Sequence, residues 1–88
     1  MQQRLKIVND KGLHARASAK FVETVERFDA SAAVSRDGMT VSGDSIMGLM
    51  MLAAAYGTHI EVTTKGREAE ALATALAELV GNRFGEEF

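Results

Sequence analysis

The chain has no cysteine. Neither a disulfide framework nor a thiolate metal site is therefore open to it. Aromatic residues are few, four Phe and one Tyr with no Trp, and they are not interleaved with a basic stripe. That counts against a surface that stacks nucleic-acid bases, and so does a formal net charge of −2. No apolar run approaches the ~18 residues of a transmembrane helix, so membrane insertion is not expected. Met1-Gln2-Gln3-Arg4 leads straight into an alternating pattern without the apolar region of a signal peptide, and the expected location is the cytoplasm. A Gly-rich phosphate loop, a Gly-x-Ser-x-Gly elbow and a His-Glu-x-x-His pattern are all missing. The two histidines, His14 and His59, are far apart and have no thiolates to complete a zinc site, so no metal and no cofactor is expected. Nothing suggests a deep cleft or a general acid–base pair. The chain reads as a carrier more than as an enzyme.

What is present suffices for one domain spanning 1–88, since 47% of the residues are apolar and can build a core. Leu5 and Ile7 alternate with Arg4, Lys6 and Val8, as in a half-buried strand. Asn9-Asp10-Lys11-Gly12 then reads as a turn. A helix is predicted from about Ala15 to Phe28, with Ala17, Phe21, Val25 and Phe28 on one stripe and Lys20, Glu23, Glu26 and Arg27 opposite. Ser31 to Ser35 alternates weakly, and Met39 to Ser42 forms a further strand. Between them Asp37-Gly38 signals a type I′ hairpin, which needs positive φ at both central residues.

Asp44 or Ser45 offers an N-cap for a short helix from Ile46 to Ala55 that is apolar all round. Such a helix is either sandwiched in the core or exposes one side as a binding surface; four methionines between Met39 and Met51 suit an adaptable surface. A strand around Ile60 and Val62 follows. The last helix carries Ala69, Leu72, Ala73, Leu76, Leu79 and Val80 on its stripe, with Gly81 as C-cap. Gly85-Glu86-Glu87-Phe88 reads as a frayed acidic tail. The order strand, helix, strand, strand, helix, strand, helix implies an α+β fold, with helices on one face of a mostly antiparallel sheet.

The chemistry concentrates in Gly12-Leu13-His14-Ala15-Arg16-Ala17-Ser18, where a strand pattern gives way to a helical one. A helix N-terminus presents backbone N–H groups with no carbonyl to satisfy them, and with the helix dipole they attract an anion. His14 stands there as a nitrogen nucleophile, with Arg16 two residues on and Lys11 and Lys20 close in sequence. The guanidinium of Arg16 can hold phosphate oxygens at two points, which Lys cannot reproduce. These residues point to a phosphoryl group accepted on His14 and passed on. His59, with no charged cluster around it, reads as structural or merely exposed. Ser45 is a helix N-cap and also a candidate for regulatory phosphorylation.

Gly12-Leu13-His14-Ala15-Arg16, followed about thirty residues later by Ser45-Ile46-Met47-Gly48, resembles the histidine-containing phosphocarrier (HPr) family of the bacterial phosphoenolpyruvate-dependent phosphotransferase system. The similarity covers nearly the whole chain. It implies an HPr-like open-faced β-sandwich: a four-stranded antiparallel sheet in the order 1-4-2-3 with three helices on one face. It further implies that His14 takes phosphate through Nδ1 from phospho-enzyme I and delivers it to a IIA-type domain. Arg16 matches the family's phosphate-contacting arginine, with the N–H groups of Ala15 and Arg16 assisting. Ile46, Met47 and Met50 match its apolar docking surface, and Ser45 matches the serine modified by HPr kinase/phosphorylase in some bacteria.

Two positions depart from the family pattern. Ala17 stands where proline is usual, which loosens the first turn. Asp44 stands where lysine or asparagine is frequent before the serine. The Ala17-Ser18 pair and the Met-rich helix look more like the nitrogen-type branch (NPr) than a sugar-uptake HPr. The resemblance thus implies a monomeric, stoichiometric phosphoryl-transfer component. The alternative is a regulatory binding module that uses the same face without carrying phosphate.

Overall fold

The computed structural model describes residues 1–88. Its strands are β1 (Gln2–Lys6), β2 (Ser31–Arg36), β3 (Met39–Ser42) and β4 (His59–Lys65). Its helices are α1 (Ala15–Glu26), α2 (Ile46–Met51) and α3 (Ala69–Gly81), and a tight turn follows at Arg83–Gly85. The strands form one sheet in the order β1-β4-β2-β3, antiparallel throughout. Leu5 pairs with Ile60, Val34 with Val62 and with Val41 on its other side. This is the α+β arrangement expected, with three helices on the sheet.

Alternation sets the faces. Ala32 and Val34 of β2 and Ile60, Val62 and Thr64 of β4 are buried beneath the helices, while Ser31, Ala33, Ser35, Glu61 and Thr63 lie on the other face. Ala17, Phe21 and Val25 of α1 and Leu72, Leu76 and Val80 of α3 fill the space above. Side chains fasten α3 to the sheet: Thr64 Oγ1 donates to the Ala69 carbonyl at 2.8 Å and Gln3 Nε2 to the Ala73 carbonyl at 2.8 Å. At the hairpin, Asp37 and Gly38 both take positive φ, 50° and 82°, as the type I′ turn requires.

Three expectations change. Helix α2 stops at Met51 rather than Ala55, because Ala53 takes a left-handed conformation (φ 50°) that no α-helix continues. Gly81 remains inside α3, and Asn82 follows as C-cap. The third concerns the tail, which is not frayed. Phe84 is fully buried in the core, its carbonyl accepts from Lys20 Nζ at 2.7 Å, and the Phe88 carbonyl accepts from the Asp10 N–H at 3.1 Å.

Candidate functional site

Gly12 makes the approach to α1 possible. Its φ is 67°, and a Cβ there would come within 2.9 Å of the Ala55 backbone. With that room, the Leu13 N–H reaches the Ala54 carbonyl at 2.9 Å and Leu13 enters the core. The chain then turns into α1 with His14 as N-cap residue in extended conformation. His14 does not cap with its side chain, so the ring is left for other work. Ser18 N–H is the first to find a carbonyl, that of His14, at 2.8 Å; those of Ala15, Arg16 and Ala17 have none. Three donors without acceptors thus lie on the residues that immediately follow His14.

The ring itself is held. Nε2 of His14 is hydrogen-bonded to Oε2 of Glu86, and no protein group bonds Nδ1. The other carboxylate oxygen of Glu86 accepts from Asn9 Nδ2 at 2.9 Å, and the same amide donates to the Gly12 carbonyl at 2.8 Å. Burial pushes the Glu86 carboxyl up, but the hydrogen bonds from Asn9 and His14, with the charges of His14 and Lys11, outweigh it and hold it below its ordinary range. The surroundings of His14 are therefore not purely cationic. Beside it lies an open pocket of about 400 Å³ lined by Lys11, Arg16 and Lys20 on one side and by the tail from Gly85 to Phe88 on the other.

Arg16 is exposed and makes no ion pair, whereas Lys20 is engaged with the tail. Ser45 caps α2, its Oγ accepting from the Gly48 N–H at 3.0 Å; Asp44 instead accepts from Ser42 Oγ. Of α2 only Leu49 is buried. Ile46 (40%), Met47 (73%), Met50 (41%) and Met51 (64%) are exposed, so this helix is not sandwiched in the core. α2 packs against α1, which brings that apolar face to the layer that carries His14. His59 begins β4 opposite Lys6, exposed and apart from His14. No group of acidic, His or Cys residues is arranged to hold a metal ion, and no helix is long and apolar enough to cross a membrane.

The arrangement meets its match in known proteins. Residues 1–82 match the family model described as the PTS HPr component phosphorylation site. The chain belongs to the HPr family. It is 51% identical over 87 residues to phosphocarrier protein HPr of Neisseria meningitidis, covering 98% of this chain and 97% of that one. It is 46% identical over 81 residues to the HPr of Pseudomonas aeruginosa, covering 91% and 90%. Among solved structures, HPr-C-His from Thermoanaerobacter tengcongensis superposes with a TM-score of 0.94 at 35% identity, covering 100% of this chain and 99% of that one. The HPr of Bacillus anthracis superposes at 0.86 with 42% identity, covering 91% and 95%. HPr proteins carry phosphate in the phosphotransferase system and are phosphocarriers rather than classical enzymes.

Two residues of the site escape the sequence reading. Glu86 lies 72 positions from His14 in a polar tail without periodicity. Asn9 reads as an ordinary turn residue, yet it is fully buried and its amide joins the loop to the tail.

Proposed function

We propose that this HPr accepts a phosphoryl group on Nδ1 of His14 from phospho-enzyme I and passes it to a IIA-type domain. The observation that carries this reading is the state of the histidine: Nε2 is engaged by Glu86, Nδ1 is unclaimed, and three helix-terminal N–H groups have no other acceptor. In this reading the N–H groups of Ala15 and Arg16 receive phosphoryl oxygens, and the free guanidinium of Arg16 adds a two-point contact. Ile46, Met47 and Met50 form the docking face, and their exposure supports that use. Ser45, at the rim of that face, is the site through which HPr kinase/phosphorylase would regulate docking. Residues 1–88 act as one phosphocarrier domain, a cytoplasmic monomer that needs no cofactor.

Intact-mass analysis with enzyme I and phosphoenolpyruvate tests the proposal. The protein should gain one phosphate, labile in acid and stable in base, and His14→Ala should gain none. Phosphate that persists on His14→Ala, or is stable in acid, would overturn it. No uptake by the unaltered protein would leave a regulatory binding module as the better reading.

A further inference from the structure

The Glu86 carboxylate sits against the one histidine proposed to carry phosphate, and it is brought there by a backbone that local preference does not favour. Arg83, Phe84 and Gly85 take φ of 58°, 55° and 78°, three left-handed residues in succession, two of them not glycine. Side chains disfavour that region, and such residues persist only where the surroundings over-determine them. Here the surroundings do. Phe84 is fully buried, Lys20 holds its carbonyl, and Asp10 holds that of Phe88. Glu86 comes immediately after this turn.

We propose that Glu86 is a positioning residue for phosphoryl transfer: its carboxylate accepts the Nε2–H of His14 and holds the ring in the tautomer whose lone pair lies on Nδ1. This rests on His14 being the phosphoryl acceptor. An ionised carboxylate can only accept hydrogen bonds, so the nitrogen facing it must carry the proton. A neutral imidazole has one such proton, and Nδ1 is then the nucleophile. The hydrogen bonds from Asn9 and His14 and the charge of Lys11, which lower the Glu86 carboxyl, help keep it ionised for this role.

The same pair bears on charge during transfer. The Nδ1 lone pair forms the bond to phosphorus while the phosphorus bond to the donor breaks, its electrons leaving on the donor atom. Nε2 keeps its proton throughout, so the ring becomes cationic as the bond forms. Glu86 faces that charge. Asn9 completes the arrangement by fixing Glu86 from the other side, from a fully buried position in the loop that also shapes Gly12. When the phosphoryl group moves on, the bond at Nδ1 breaks, its electrons return to that nitrogen, and the neutral tautomer is restored without a proton having moved.

The test uses full-length protein labelled with ¹⁵N-histidine, compared with Glu86→Ala and Glu86→Gln. In the unaltered protein the His14 shifts should report a proton on Nε2 in the neutral ring. Glu86→Ala should mix the tautomers and slow phosphorylation by enzyme I. Outer partners of functional histidines, as measured at metal sites, are typically worth about 10–100-fold, and a loss near the lower end is expected for this partly exposed pair. Glu86→Gln keeps an acceptor, so it should retain the tautomer and recover part of the rate. A Glu86→Ala protein with unchanged shifts and rate would overturn the proposal, as would one that transfers faster, which would make the tail a brake. Should the unaltered protein take up no phosphate, the carrier reading and the transfer half of this inference fall together. Unchanged tautomer in Glu86→Ala sinks the inference alone.

Discussion

The Lys20 ammonium on α1 donates to the Phe84 carbonyl at 2.7 Å, across 64 residues of sequence. It joins the helix that follows His14 to the turn that delivers Glu86. A carbonyl on a left-handed residue has no regular partner, and Lys20 supplies one. The long aliphatic stem of lysine makes this possible, since its charged end can reach out while its carbons lie along the protein. One consequence is that the C-terminal residues are part of the folded unit. A second is that the site depends on packing contributed from both ends of the chain.

Phe84→Ala tests how much the docked tail contributes. The side chain is fully buried, and truncating a buried Phe typically costs about 3–5 kcal/mol. At ~0.05–0.15 kcal/mol per residue, a chain this long has total stability of only a few to about a dozen kcal/mol. Denaturant unfolding should show a loss of that order, whereas Phe84→Leu should lose less, because it leaves a smaller cavity. A midpoint unchanged by Phe84→Ala would mean that the tail is not docked in solution.

Glu86 should also leave a mark on the pH dependence of stability. Its carboxyl lies lower in the folded protein than in the unfolded chain, so folding favours the ionised form. The stabilising contribution is therefore present above the ordinary carboxylate range, about pH 4.3, and is lost as the pH falls through the lower folded value. His14 and Lys11 supply the charges that act on it, and Asp10, Arg16, Lys20 and Glu87 line the same pocket. The stability difference between the unaltered protein and Glu86→Gln should shrink as the pH falls through the carboxylate range. A difference that grows toward acid would have the wrong sign.

What could be read in the sequence follows from what is local. The α1 stripe through Phe21, the Asp37-Gly38 hairpin and the Ser45 cap each rest on neighbours a few residues apart, and all appear in the fold. His14 and Arg16 were legible for the same reason, since a helix start is a local event. The tail was not. Phe84 is a single apolar residue among Asn82, Arg83, Gly85 and Glu86, with no period to show that it turns inward. Nor does a non-glycine residue announce positive φ, which hid both the Arg83–Phe84 turn and the early end of α2 at Ala53. The partner of His14 was thus reached only through long-range packing.

Ala53 offers a direct stability test of that second turn. It is exposed and left-handed, so its methyl group contributes little packing while it disfavours the conformation. The left-handed region costs a side-chain-bearing residue about 1–2 kcal/mol, and glycine gives back part of the gain, roughly 0.5–1 kcal/mol, in unfolded-chain entropy. Ala53→Gly should therefore stabilise by about 0.5–1 kcal/mol, read as a higher melting temperature. A lower one would show that the Ala53 methyl group matters to the turn.

Arg16→Lys separates geometry from charge. Arg16 is exposed and unpaired within the chain, so its replacement should leave the melting temperature within a degree or two of the original. Lysine keeps the positive charge but loses the planar fork. Phosphorylation by enzyme I should slow, and rapid-quench kinetics would show it. Equal rates would reduce Arg16 to a solvated first-turn residue.

Ser45 and Met47 separate docking from folding. Ser45 Oγ accepts the Gly48 N–H at 3.0 Å, and an aspartate at an N-cap can accept the same bond. Ser45→Asp should accordingly change stability by no more than about 0.5 kcal/mol. Met47 is 73% exposed, so Met47→Ala removes little from the core and should be equally mild. The effect on a docking partner is different in kind. A negative charge at the rim of an apolar patch must be partly desolvated when that patch is covered, or must repel acidic groups facing it. Loss of the Met47 side chain instead removes adaptable contact area. Both variants should slow phosphoryl transfer from enzyme I while melting like the unaltered protein. Raised ionic strength should relieve Ser45→Asp more than Met47→Ala, because salt screens the charge and leaves the missing contact missing. If Ser45→Asp unfolds the protein, the hydroxyl is a structural cap that aspartate cannot replace. If both variants transfer at the original rate, the docking face is not the exposed side of α2.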